Sequence, residues 1–508
     1  MVKLFSQDLK IFKYFNFIIL IFYLILSLFI LNMWDAYNFD YAFNRENLNG
    51  LKLWAIENSH RCFLYIINSL FFVKKKFQFS NEILFDLFNF ISLFLFISQI
   101  SNLGKIFLKL DTQWKNIVFT IVLIFPVWEG FTSLPLGFYL FYFGICLLGF
   151  RLFFYSKSLI KVFFGFFLLI NSLCVQSNYS LIVGLIICHL ITSTINKQNI
   201  TKSLFIFITI LFIFIINYFY FPAYNYFENF NRIELNNIAP KKLISNTFNF
   251  LTFFIYFIWV FVLLIYLNIK NRIKNLLFIS KKNFFIILVL FIFSTGPYLF
   301  LNKSTDVFAW KDYLGRHAYL MSIPFAFFFT LLFQKIYEID SSNKKKFFFF
   351  FIIIFILQAL STQIFKFYFK IEASLFHESF VKNLQKFEKP KSGIVEFYTS
   401  NEKKFDYVNK HDYLPGHRMR NHEVAALFYK AYGEASWLFF IPKSKSNKSL
   451  DFEKYKTLFN ADEFDIDSKC KTKITFSKQL NYFERFKYLY IFNSEKYYKI
   501  KKIVTSCS

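Results

Sequence analysis

The sequence predicts an all-α polytopic transmembrane bundle of about eleven spans, followed by a small extracytoplasmic α+β domain. Two observations predict the bundle and a third predicts the domain. Of the 508 residues 56% are hydrophobic, and the mean hydropathy is +0.41. A soluble chain of this length would instead divide into two or more domains with alternating polar surface. Apolar runs of roughly 18 to 22 residues recur almost end to end, each long enough to cross about 30 Å of hydrocarbon as a helix. From residue 365 onward the hydropathy falls and short alternating segments take over.

The spans fall at 13–33, 83–103, 116–133, 136–153, 162–177, 179–195, 203–221, 249–268, 283–301, 318–337 and 347–364. The first is too long for a signal-peptide core and lacks a small-residue exit, so no cleavable leader is expected. Between spans the cations gather in short clusters, among them Lys105/Lys109/Lys115, Arg151/Lys157/Lys161, Lys197/Lys202 and Lys344/Lys345/Lys346. With eleven spans these clusters share the side of the N-terminus, which the positive-inside rule makes cytoplasmic. The net charge of +27 is therefore spent on connectors and lipid headgroups, not on a nucleic-acid face, and no nucleic-acid partner is expected. The expected location is a cell inner (cytoplasmic) membrane, with the C-terminal domain outside.

One segment tests this arithmetic. "HRCFLYIINSLFFVKKK" (60–76) has an apolar stretch of about twelve residues, short of the roughly 17 needed to span. Counted as a span it would invert every later cluster. It reads as an amphipathic helix on the outer interface, within a first outer loop covering 34–82.

The transmembrane domain thus covers 1–364 and the terminal domain 365–508. In the latter, 376–387 and 422–432 read as helices, and 392–400, 435–442, 471–476, 488–492 and 497–506 as strands. The six cysteines include no CxxC and no zinc-like Cys/His spacing. Cys470 and Cys507 share an oxidising compartment under this topology, where a bridge and two free thiols are both open.

Unusual polar residues concentrate on the outer face. The 34–82 loop opens with "WDAYNFDY", carrying Asp35 and Asp40, and the hairpin turn "PVWEGFTS" holds Glu129. A late outer segment, "STDVFAWKDYLGRHAYL", supplies Lys311, Arg316 and His317. Each has a bland alternative: turn-forming aspartates at a membrane exit, a structural glutamate at a hairpin tip, a headgroup anchor opening a span. The asymmetry in residue type is harder to explain that way, since the inner loops are mostly basic connectors while the outer ones mix acids, His, Arg and Trp.

This arrangement resembles the membrane-embedded, polyprenol-phosphate-dependent glycosyltransferases of the GT-C class. The likeness rests on "WDAYNFDY" after the first span, the surface helix, "PVWEGFTS", "RHAYL" and the terminal outer domain. It extends to large uncharacterised membrane proteins of bacterial surface-polysaccharide clusters. The resemblance implies transfer of a sugar from a polyprenyl-phosphate donor to an extracytoplasmic glycan, lipid or protein acceptor. Asp35 would be the base and Asp40 its companion, although the family's acidic pair is often adjacent and these are five apart. Arg316 would grip the leaving phosphate, with His317, Lys311 and Glu129 at the substrate. No cofactor is demanded, and a divalent cation is compatible with the acids. The competing expectation is a non-enzymatic polytopic membrane protein, a transporter or a structural subunit.

Overall fold

The computed structural model describes residues 9, 11–29, 39, 42–44, 46, 48–57, 63–128, 134–193, 197–220, 257–260, 262, 280–300, 318–337, 342–390, 393–398, 404–405, 421–432, 439–440, 470–477 and 499–507. Among the described residues twelve helices precede the sheet: α1 (Ile11–Phe29), α2 (Asn49–Glu57), α3 (Phe63–Phe77), α4 (Asn81–Phe107), α5 (Thr112–Leu123), α6 (Leu134–Tyr155), α7 (Leu159–Ser172), α8 (Ser177–Thr192), α9 (Lys197–Tyr220), α10 (Lys281–Phe300), α11 (Ser322–Tyr337) and α12 (Ser342–Leu384). Among the described residues five segments, on α4, α6, α9, α11 and α12, are long and apolar enough to cross a membrane. The outward surface matches: α7 exposes Ile160, Phe163 and Phe167, and α9 exposes Leu204, Phe205, Ile208 and Phe212. Apolar patches of this extent suit lipid, not water. Of the expected span 249–268 only 257–260 and 262 are described, and Phe257 packs between Phe325 and Phe355 at 5.7 and 4.8 Å.

Side-chain pairs fix the helix directions. Asn16 donates to the Asn116 carbonyl at 3.1 Å and Tyr23 to the Leu123 carbonyl at 2.7 Å, so α1 and α5 run parallel. Phe88 meets Phe138, Phe96 meets Phe143 and Phe107 meets Phe150, so α4 and α6 are parallel too. The short turn at 108–111 makes α4 antiparallel to α5, hence to α1. The chain therefore leaves α1 and enters α4 at the same end of the bundle.

The contacts of α3 place it at that end as well. Phe63 at its start packs on Phe138, Tyr139 and Tyr142, within the first turns of α6. Phe71 near its finish packs on Phe43, which in turn meets Phe85 in the first turns of α4. Both ends of α3 thus sit at one end of the bundle. Its three lysines, the exceptions to the charge pattern, have local partners there. Lys74 Nζ donates to the Phe43 carbonyl at 2.6 Å, and Lys75 pairs with Glu46 at 3.3 Å. Opposite the buried Phe63, Ile66, Ile67 and Leu70, the helix exposes Tyr65 and Phe72.

Described lysines from the other clusters (Lys105, Lys109, Lys157, Lys161, Lys197, Lys281 and Lys335) lie at the opposite, basic end. Asp111, set among them, caps α5 by accepting from the Gln113 and Trp114 amides at 2.8 and 2.9 Å. Asp111→Ala is expected to cost about 1 kcal/mol, measurable as a lowered unfolding midpoint in detergent. At its other end α5 stops at Leu123, earlier than the expected 133, because Pro126 forbids the preceding residues a continuing helix. Trp128 Nε1 closes the turn by donating to the Val122 carbonyl at 2.8 Å.

The terminal sheet contains β1 (Gly393–Tyr398), β2 (Lys404–Phe405), β3 (Phe439–Phe440), β4 (Cys470–Phe476) and β5 (Ile500–Cys507), with α13 (Asn421–Tyr432) packed beside it. Its order is β2-β1-β4-β5, β1 and β4 being parallel and β4 and β5 antiparallel, with β3 also on β1. The expected strand at 488–492 lies outside the described residues. The expected break between a span ending at 364 and a helix starting at 376 is absent: α12 runs through both. At 1.5 Å per residue its 43 residues extend about 64 Å, twice the hydrocarbon thickness. Its last turns build the domain's core, where Phe376 and Phe380 meet Phe476, and Phe380 also meets Phe397 and Phe428. Lys430 of α13 reaches Glu82 at the start of α4, 3.6 Å away. The domain therefore sits at the end opposite the basic clusters.

Cys470 and Cys507 are bonded, joining the start of β4 to the end of β5. Serine at both positions is expected to lose about 3–4 kcal/mol of domain stability, from the loop of 37 residues that the bridge closes. Faster tryptic cleavage of the lysine-rich β4 and β5 in the full-length protein would register it. Cys174, between α7 and α8, is also disulfide-bonded, whereas Cys146 and Cys188 are free and buried.

Candidate functional site at the domain end of the bundle

Asp35, Asp40, Glu129, Lys311, Arg316 and His317 all lie outside the described residues. Residues that adjoin Asp40, Glu129 and His317 are described, and these lie at one end of the bundle. Trp128, directly before Glu129, packs on Tyr319, two residues after His317, with ring centroids 5.4 Å apart. Both rings are fully buried. Phe39, directly before Asp40, is buried against Phe138 in the opening turns of α6, at 5.5 Å. The loop, the hairpin and the late outer segment are thus anchored at the same end, the one that carries the terminal domain.

At this end α12 turns polar. Gln363, Lys366, Lys370, Ser374 and His377 recur at helical spacing within an arc of about 80°, and all are buried. The exposures of Lys366, Lys370 and His377 are 2%, 1% and 1%. Glu372, on the far side of the helix, is equally enclosed. Lys366 Nζ donates to the Pro126 carbonyl at 2.7 Å, tying α12 to the turn that leads into Glu129. One helical position along, Phe367 packs on Tyr23 of α1 at 5.5 Å. The stripe therefore touches the hairpin turn, and the residue beside it reaches the second half of α1.

Such a stripe is expensive. Burying an ammonium costs several kcal/mol unless partners compensate, and the bond to Pro126 is one such partner. Ionisable groups enclosed at the edge of a membrane bundle are retained where they hold a substrate, an ion or a structural joint. Chemically, two lysines one turn apart create a positive potential suited to phosphate or another anion nearby. The segment "TQIFKFYFK" announces this stripe, because polar residues spaced three and four apart inside an apolar helix cannot all face lipid. The falling hydropathy there reads instead as the end of a span.

A second buried polar group lies at the basic end. His189 Nδ1 sits 2.8 Å from the Tyr155 hydroxyl and 2.9 Å from Ser193 Oγ, with the Phe154 ring at 4.5 Å. These contacts satisfy the imidazole inside the packed α6–α8 interface, in keeping with a core histidine. Among the described residues no three His, Cys, Asp or Glu side chains form a metal-holding group.

No known protein family, no curated protein and no solved structure matches the chain.

Proposed function

We propose that the chain is a membrane-embedded glycosyltransferase of GT-C type, moving a sugar from a polyprenyl-phosphate donor to an extracytoplasmic glycan, lipid or protein acceptor. The observation that carries the reading is the convergence at one end of the bundle. The Trp128–Tyr319 contact, the Lys366–Pro126 bond and the Phe39–Phe138 contact draw together the segments that flank Glu129, His317 and Asp40. The donor's tails would lie in lipid and its headgroup at this end. The acceptor hydroxyl attacks the anomeric carbon, forming the new glycosidic bond as the bond to phosphate oxygen breaks. Asp35 takes the hydroxyl proton, and the polyprenyl phosphate leaves as an anion. Arg316 faces that growing charge, with Lys311, His317 and the Lys366/Lys370 potential behind it.

Sidedness supports the same reading. Both ends of the Cys470–Cys507 bridge, and the bonded Cys174, lie at the domain end, as an oxidising exterior requires, while the basic clusters lie at the other. We therefore place the domain end outside the cytoplasmic membrane.

The test supplies membranes containing the protein with a panel of polyprenyl-phosphate monosaccharides and reads glycan products by mass spectrometry. Asp35→Asn is expected to lower transfer by about 10²- to 10⁴-fold with insertion unchanged. Unaltered transfer in that variant would remove Asp35 from the chemistry, and no transfer by the parent protein with any donor would remove the activity. The second reading, a structural subunit of a larger membrane complex, draws on α9, whose span is only 17% buried and offers a broad apolar surface.

A further inference from the structure

The terminal sheet has a second face, opposite the one that the α12 phenylalanines cover. The register of the sheet decides which side chains share it. Along β4, Thr472, Ile474 and Phe476 turn inward, and Lys471, Lys473 and Thr475 outward. Pairing places Ser506, Val504 and Lys502 of β5 beside them, and Glu396 and Tyr398 of β1 on the other flank. Lys471, Lys473 and Lys502 are exposed, and Lys501 stands exposed at the bulge between Ile500 and Lys502. The inward face is occupied by Phe397, Phe476 and the α12 phenylalanines, so the lysines have no part in the core.

This face carries four cations and one described carboxylate, Glu396. That carboxylate is already engaged, accepting from the Tyr398 hydroxyl at 2.8 Å. Burial and the neighbouring Glu396 push the Tyr398 phenol up to about 12, so it stays a donor at any physiological pH. The Lys473 ammonium lies 5.5 Å from the centre of the Tyr398 ring, which fixes a cation beside an aromatic surface. Alternate residues on β4 are about 6.8 Å apart and neighbouring strands about 4.8 Å, so the cations form a regular lattice of positive charge.

We infer that this sheet face is a docking surface for a polyanionic glycan, a polymer bearing carboxylate or phosphate groups at regular intervals. Charge complementarity selects an anionic partner. The regular spacing selects a repeating one. A lipid surface fits less well, because membrane-docking faces insert large apolar side chains and Val504 is the sole exposed large hydrophobic among the described residues of the sheet. The Tyr398 ring and hydroxyl add the flat surface and polar group that a sugar ring uses. The inference is independent of the transferase reading, since a subunit with no chemistry of its own could hold such a polymer equally well.

The test uses the full-length protein in detergent, immobilised, with three probes: polygalacturonate, neutral dextran and phosphatidylglycerol vesicles. Polygalacturonate is expected to bind and to weaken steeply as salt rises, with dextran and vesicles bound far less. Lys471→Gln, Lys473→Gln and Lys502→Gln together are expected to weaken polygalacturonate binding about tenfold or more, with elution and the Cys470–Cys507 bridge unchanged. Lys473→Glu alone, a smaller perturbation of the strand, is expected to move binding in the same direction. Equal binding of dextran, binding of vesicles in place of polygalacturonate, or indifference to both sets of substitutions would overturn the inference.

Discussion

Leucine in place of Gly165 is expected to leave little monodisperse protein. Gly165 lies on α7 where that helix crosses α6 opposite Gly149, and the two backbones are in near contact. A Cβ at 165 would stand 2.6 Å from the Phe153 amide nitrogen and 2.9 Å from the Gly149 carbonyl oxygen. Both are backbone atoms, so neither can rotate aside. Helix propensity would favour leucine by up to about 1 kcal/mol, while overpacking costs about 3 kcal/mol or more, and the clash wins. Small residues at helix crossings are how membrane bundles gain close packing in the absence of a hydrophobic driving force between helices. The comparison is Gly104→Ala, whose new methyl would meet side-chain atoms of Phe327 and Val118 at 3.0 and 3.3 Å. Those side chains can yield, and a loss of about 1 kcal/mol or less is expected. Size-exclusion profiles and unfolding midpoints in detergent read both outcomes. Equal behaviour of the two variants would mean that the α6–α7 crossing is looser than described.

Methionine in place of Lys366 is expected to separate activity from folding. The side chains are of similar length, so the volume between α12, α1 and the hairpin stays filled. What disappears is the ammonium and its bond to the Pro126 carbonyl. Exchanging a buried charged group for an apolar one of like volume is often close to neutral for stability, because the cost of desolvating the charge vanishes with its interactions. For transfer the consequence differs. A charge-assisted hydrogen bond contributes about 1.5–3 kcal/mol, and each 1.36 kcal/mol in a barrier is tenfold in rate. Transfer should therefore fall by about 10- to 100-fold, through the lost positive potential and through a hairpin no longer pinned beside Glu129. Yield and elution should match the parent. Unchanged transfer would confine Lys366 to a structural role.

The bundle was legible in the sequence wherever apolar length was the deciding quantity. Ten of the eleven expected spans overlap described helices, five of which are long and apolar enough to cross a membrane, and Ser80 and Asp111 stand at the helix starts as ordinary caps. The alternation in "CKTKITF" likewise marks β4, with buried and exposed residues in strict turn up to Ile474. Two elements were misplaced for one reason, that hydropathy and helix persistence are different properties. Through 125–133 the sequence stays largely apolar, yet Pro126 ends α5. Past 364 it turns polar, yet no Gly or Pro interrupts 342–384 and the helix continues. The same confusion hid Lys366, Lys370 and His377, which fall where the sequence reads as the opening of the terminal domain and are instead enclosed along the continuing helix. Near the acids, the described residues are Phe39 before Asp40 and Trp128 before Glu129, and both are buried anchors at the domain end of the bundle.

The central claim is that the end of the bundle carrying α3, the hairpin and the terminal domain faces outward, opposite the basic clusters. Single cysteines at Lys75, Lys386 and Lys161, all exposed positions, put it to the test with a membrane-impermeant maleimide, since the described free cysteines are buried. In intact cells positions 75 and 386 should react and position 161 should react only after the membrane is opened. Reaction at 161 alone, or a split between 75 and 386, would contradict the account.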